Sequence, residues 1–225
     1  MNQSKLIKRL DDLSEAITSD INEIKQEIKD TRDISGDKII EKPIVLIIGH
    51  SRESGGATNK KYNISEYIYN RELANEISNL LNVMDFERKI IISERQSYIG
   101  LPNQINELNP LFSISLHANA FNQEATGTEM LYYHGSELSR QLALILQKNI
   151  TNALGLKSRG VKSKKEKDRG GYLLKKVNCP IVIAEPFFID NVKDYDIAKN
   201  KSHELISAYA NSIVEFNNVL ENQNG

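Results

Sequence analysis

Apolar residues near the start of the chain fall at Leu6, Leu10, Leu13, Ile17, Ile21, Ile24 and Ile28, in steps of 4, 3, 4, 4, 3 and 4. This is helical spacing with a narrow apolar stripe on an otherwise charged segment, uninterrupted by Gly or Pro from residue 4 to residue 32. The two adjacent steps of four place an 11-residue unit inside a heptad pattern, which straightens a supercoil. Two arrangements fit such a stripe: self-association as a coiled coil or docking to a partner protein through residues 4–32, and packing against the chain's own downstream domain. Residues 33–42, broken by Ser35-Gly36, read as a linker. The expected organisation is an N-terminal amphipathic helix over 1–34, a linker over 35–42 and a main domain over 43–225.

From Pro43 onward the pattern changes to alternating strands and helices. Residues 44–48 (IVLII) form an unbroken apolar run, as expected of a strand buried on both faces. Ser65 is placed to cap a helix running to about Leu81, with Ile68, Leu73, Ile77, Leu80 and Leu81 turned inward. Short strands are predicted over 89–92, 111–116, 128–133 and 181–184, with a short helix over 101–108. Residues 136–154 form an amphipathic helix that Gly155 is placed to close. Residues 171–176 read as an edge strand and 194–220 as a final helix. The expected fold is α/β: a mixed, mainly parallel sheet flanked by helices, preceded by the N-terminal helix.

Composition alters this picture little. The 225 residues are 40% hydrophobic and 26% charged with a net charge of −1, which is ordinary for a globular chain and gives no global reason to expect nucleic acid. A single cysteine, Cys179, rules out an intramolecular disulfide and a thiolate zinc cluster. Any metal site must therefore use His, Asp and Glu, and the only histidines are His50, His117, His134 and His203. The first residues lack the apolar core of a secretory signal, and no stretch approaches the ~20 apolar residues of a membrane helix. The expectation is synthesis in the cytoplasm without a visible signal peptide.

Three polar residues directly follow apolar strands: His50 after IVLII-Gly49, His117 after LFSISL, and Glu185 after IVIA. In open α/β sheets ligands bind beyond the carboxyl ends of the strands, so parallel neighbours would bring these side chains into one crevice. Glu66 opens the helix after the His50 loop and faces the same edge. Two imidazoles and one carboxylate leave a coordination position open, as catalytic zinc requires, and a further carboxylate can take a proton from water there. His50, Glu66 and His117 suit the ligand roles and Glu185 the base. Each also has a plain structural reading. Either histidine is a hydrogen-bonding residue at a core edge, and Glu66 is a helix N-terminal charge; Glu72 on the same helix is the alternative carboxylate. Glu185 resists such a reading, because a carboxylate at a buried strand end is costly unless paired.

The blocks IVLIIGHSRESGGA, SEYIYNRELANEI, FSISLHANAF, GTEMLYY, SRGVK and CPIVIAEPFFIDN, in this order, resemble the zinc N-acetylmuramoyl-L-alanine amidases of the amidase-3 type from about Ile44 to Ile213. The resemblance implies that His50, Glu66 and His117 hold one Zn2+ per chain and that Glu185 is the catalytic carboxylate. It implies hydrolysis of the amide between N-acetylmuramic acid and L-alanine in peptidoglycan. The sequence departs from the family pattern at Ser51-Arg52, where a Gly-Gly pair is usual, at Glu53-Ser54, and at Ser93-Glu94-Arg95, where the family has Thr-Arg.

Other residues stand beside these four. Glu129 is a candidate supporting carboxylate near the metal or a cross-strand partner. Asn119 is a candidate for binding substrate or fixing its loop, and Arg159 for substrate binding. His134 and His203 read as surface residues and Cys179 as a small core residue. The basic stretch 157–176 reads either as a solvated loop or as a rim that attracts stem-peptide carboxylates. Two rival functions remain: another zinc amidohydrolase or peptidase, and a non-catalytic wall-binding or structural component of a phage or injection apparatus. With no visible leader, a wall enzyme of this kind, an endolysin for example, reaches its substrate after lysis or delivery.

Overall fold

The structure is a computed structural model that describes residues 42–224; the expected N-terminal helix, with its coiled-coil reading, and nearly all of the linker lie outside the described residues. Six strands form one sheet in the order β4 (Ile90–Glu94), β1 (Ile44–Ile48), β5 (Phe112–Leu116), β8 (Ile181–Glu185), β6 (Thr128–Tyr133) and β7 (Ser158–Lys164). A two-stranded ribbon, β2 (Thr58–Asn59) with β3 (Ile64–Ser65), sits in the loop after β1. Strands β4, β1, β5 and β8 are parallel. β6 runs antiparallel to β8, and β7 pairs parallel to β6. The sheet is therefore mixed and mainly parallel, as the alternating pattern predicted.

Helices cover both faces. Strand side chains alternate in direction, so the apolar runs supply two cores at once. Ile44, Leu46, Ile48, Phe112, Ile114, Leu116, Val182 and Ala184 pack against α1 (Glu66–Val83), α3 (Glu137–Leu154) and α6 (Ser202–Asn224). Val45, Ile47, Leu131, Ile181 and Ile183 pack against two short helices, α2 (Leu101–Glu107) and α4 (Gly171–Lys176). Ser65 caps α1, its side chain accepting from the Ile68 N–H, and Gly155 closes α3 in the left-handed conformation.

Four expectations are corrected. Residues 171–176 form helix α4 rather than an edge strand; the apolar pair Leu173-Leu174 is buried on the thin face of the sheet. The edge strand lies upstream as β7, in a basic stretch with no apolar alternation to reveal it. The single helix expected over 194–220 is two, α5 (Val192–Asn200) and α6, separated at Lys201, whose Nζ donates to the carbonyls ending α3. Ile68 is 40% exposed rather than turned inward. Cys179 is half-buried beside the thin-face core, and its sulfur lies 3.3 Å from the Ser113 hydroxyl.

Candidate metal centre

β1, β5 and β8 are parallel neighbours in exact sequence register at their ends: Ile48 pairs with Leu116, and Leu116 with Ala184. Each chain then leaves the sheet on a polar residue, so His50, His117 and Glu185 emerge at one edge. Glu66 reaches the same edge from the first turn of α1, where the ribbon holds it: its N–H donates to the Ala57 carbonyl at 2.8 Å.

The three expected ligands converge. Glu66 Oε2 lies 3.2 Å from His50 Nε2, and Glu66 Oε1 lies 2.9 Å from His117 Nδ1. One donor atom from each residue falls within 4.8 Å of the others, and Glu72 is not part of this group. Zinc bonds to nitrogen and oxygen of about 2.0–2.2 Å set tetrahedral ligands roughly 3.5 Å apart, so this donor set fits such an ion in kind and spacing. Backbone N–H groups orient the carboxylate further: Ala57 donates to Oε2 at 3.2 Å and Ala118 to Oε1 at 3.1 Å. Burial alone would push the Glu66 carboxyl up, but hydrogen bonds to His117 and His50, with their charge, hold it well below the usual carboxylate range.

Two glycines make this approach possible. A Cβ on Gly49 would lie 2.4 Å from the Leu116 carbonyl oxygen and 2.7 Å from the His117 ring. A Cβ on Gly56, which has φ +76°, would lie 2.6 Å from both Glu66 Oε2 and the His50 ring. His50 itself has φ +67°, a conformation an L-residue holds only where the surroundings enforce it.

Glu185 ends β8 on the thin face of the sheet, in register opposite Glu129 of β6. It is 5% exposed, and its Oε2 has no hydrogen-bond partner. Burial pushes its carboxyl well above the ordinary range; the nearby charges of Glu66 and Glu129 add to this, and Arg169 and Lys164 oppose it. A cavity of about 140 Å3 is lined by Glu185 together with both metal-site histidines.

The remaining candidates form a separate chain of contacts beside Glu185. Glu129 accepts from Asn119 Nδ2 at 2.9 Å and pairs with Arg159 at 2.7 Å, while the Arg159 guanidinium stacks on Phe188. Glu129 is thus the cross-strand register partner of Glu185, itself held by Asn119 and Arg159. Arg159 is tied to Glu129 rather than free over the cleft. His134 and His203 are exposed and away from the site, as expected. Two cavity-lining residues escaped the search for ligands, Arg95 and Tyr98. Arg95 directly follows β4, and the parallel pairing of β4 with β1 is the signal that places it at the same sheet edge.

At its carboxyl edge the helix-covered sheet carries two histidines and two buried glutamates, a donor set of the kind that metal-dependent hydrolases use. The model of the N-acetylmuramoyl-L-alanine amidase family matches residues 44–215, and the chain belongs to that family. An uncharacterized cell wall amidase of Bacillus anthracis is 37% identical over a stretch covering 36% of this chain and 16% of the relative, so the match spans a minor part of that protein. The catalytic domain of CwlV, an N-acetylmuramoyl-L-alanine amidase from Bacillus (Paenibacillus) polymyxa var. colistinus, shares the fold at a TM-score of 0.67. It is 20% identical over 79% of this chain and 99% of that one. The catalytic domain of the CD27L endolysin, targeting Clostridia difficile, is 26% identical with a TM-score of 0.62, over 78% of this chain and 96% of that one.

Proposed function

We propose that this chain is a zinc-dependent peptidoglycan hydrolase that cleaves the amide between N-acetylmuramic acid and L-alanine. The observation that carries the reading is the convergence of His50, Glu66 and His117 beside a buried carboxylate, Glu185, in a chain of the amidase family. His50 Nε2, His117 Nδ1 and a Glu66 oxygen would hold the ion. Zinc, when bound, supplies polarisation of the scissile carbonyl and acidification of water. Glu185 takes the proton from the attacking water on its carboxylate and returns it to the leaving alanine nitrogen. Its burial suits both directions, because a carboxyl held above its ordinary range is a good acid as well as a base. Glu129, held by Asn119 and Arg159, lies opposite Glu185 across the strands and adds to the upward push that burial and Glu66 exert on it.

The site favours this reading over a non-catalytic wall-binding role. A scaffold has no use for an unpaired buried carboxylate, whose desolvation costs folding energy. The domain division at residues 34 and 42, and an N-terminal segment that joins two copies or docks on a partner, belong to the same proposal. Among the described residues no helix is long and apolar enough to cross a membrane. The test is digestion of purified peptidoglycan by the zinc-loaded protein. Release of stem peptides with free N-terminal alanine is expected; cleavage at a sugar linkage or within the peptide overturns the assignment.

A further inference from the structure

In the basic stretch from residue 157 to residue 176, three side chains have partners on the protein. Arg159 pairs with Glu129, Lys176 pairs with Glu166 at 3.2 Å, and Lys175 lies over the Tyr133 ring. Arg169, just ahead of α4, instead lines the cavity that holds Glu185, His50 and His117. Arg95, from the loop after β4, lines the same cavity. Among the described residues neither guanidinium has a carboxylate within ion-pair distance. Arg95 sits against the Tyr98 ring, 6.0 Å from its centroid. Tyr98 packs in turn on Tyr172 of α4, with ring centroids 5.8 Å apart, and the Tyr172 hydroxyl donates to the Ile99 carbonyl at 3.2 Å. The loop carrying Arg95 and the helix that follows Arg169 are thus fastened together.

Two like charges lining one cavity repel each other, and the local field they make beside Glu185 is not explained by the chain's net charge of −1. Leu101, Leu131 and Leu173 make up much of the cavity wall; Arg169 is exposed and Arg95 half-buried at its lining. Such a pair suits an anion, because a planar guanidinium matches a carboxylate fork. Resting on the amidase reading above, we propose that Arg95 and Arg169 bind a free carboxylate on the peptide side of the substrate, next to the scissile amide. They make the enzyme selective for stem peptides whose second residue bears a carboxylate rather than a carboxamide. The clamp sets specificity and orientation; proton transfer stays with Glu185.

The test compares two soluble N-acetylmuramoyl peptides that differ only in carboxylate or carboxamide at the second residue. They are offered to the zinc-loaded full chain and to the R95Q, R169Q and double variants. Wild type is expected to favour the carboxylate substrate by about tenfold or more in kcat/KM, the worth of one charge-assisted hydrogen bond. That preference falls towards unity in the double variant, chiefly through KM, and R95K retains part of it. Thermal melting checks that the variants are folded. Equal use of the two substrates by wild type, or a preference the double variant keeps, overturns the clamp while leaving the amidase reading intact. If wild type cleaves neither substrate, digestion of purified peptidoglycan decides the amidase reading. The clamp is then judged by calorimetry with the acid and amide forms of the alanyl dipeptide on the metal-free protein: preferential binding of the acid, lost in the double variant, supports it, and equal binding overturns it.

Discussion

At the residue scale the site depends on side chains whose surroundings are hostile to them. Glu185 is a buried carboxyl with an unpartnered oxygen, and its folded-state value lies well above 4.5. The unfolded chain releases this proton at an ordinary pH that the folded, metal-free protein does not follow. Stability therefore falls as pH rises from about 4.3 towards the raised folded value. Glu185→Gln removes that slope. Denaturation of metal-free protein at pH 5 and pH 8 is expected to show the variant gaining on wild type at the higher pH; a gap independent of pH would contradict the account. The same variant should keep its zinc by elemental analysis and lose wall digestion by about 10²-fold or more, the usual contribution of a general base. His117→Ala should instead lose the metal. Gly56→Ala probes the approach itself: a methyl 2.6 Å from Glu66 and His50 must push the ligands apart. The expected outcome is a folded protein with at least tenfold weaker zinc binding in a competition titration.

At the element scale the site is an edge where four strand ends and one helix start must stay aligned. The loop after β8 is bound to the start of β6 by Asp194, 1% exposed, which accepts from the Thr126 hydroxyl, the Gly127 N–H and the Phe188 N–H at 2.5–3.1 Å. Asp194→Ala strands those donors in the interior and should destabilise the domain by about 3 kcal/mol in chemical denaturation. A loss below about 1 kcal/mol would mean that the loop is held otherwise. Asp190 plays a similar part on the surface, accepting from the Phe121 and Gln123 N–H groups and so fixing the loop that follows Asn119.

At the scale of the whole molecule, the three proposed ligands are gathered only in the native sheet, so zinc binding is expected to be coupled to folding. Zinc at 1,000 times its dissociation constant adds about 4 kcal/mol. Chelation should therefore lower the melting temperature, with recovery on adding zinc back and no response in His117→Ala. Sizing the full chain against a version beginning at Lys42 tests the N-terminal segment: a larger assembly only for the full chain is expected, and equal monomer masses would remove self-association.

The apolar runs of β1, β5 and β8 were legible because a strand buried on both faces leaves an unbroken mark in sequence, and the polar residues that end them follow directly. From these the α/β class could be named, and with the family resemblance they singled out His50, His117 and Glu185 and the expectation of one shared crevice. The strand order β4-β1-β5-β8 and the matched register that bring them together are not encoded in local pattern. β7 and α4 were misread for a related reason: an edge strand of basic residues has no buried face to leave a period, and a six-residue helix is too short to show one. The pairing of Glu129 with Arg159, the closing of a cavity around Glu185 and the presence of Arg95 and Arg169 in its lining are likewise tertiary facts. Sequence determined which chemical groups the chain owns and which strands carry them to an edge. Only the packing of the sheet decided which groups share a few ångströms, and that distance gathers two imidazoles and a carboxylate into a donor set whose kind and spacing fit a metal ion.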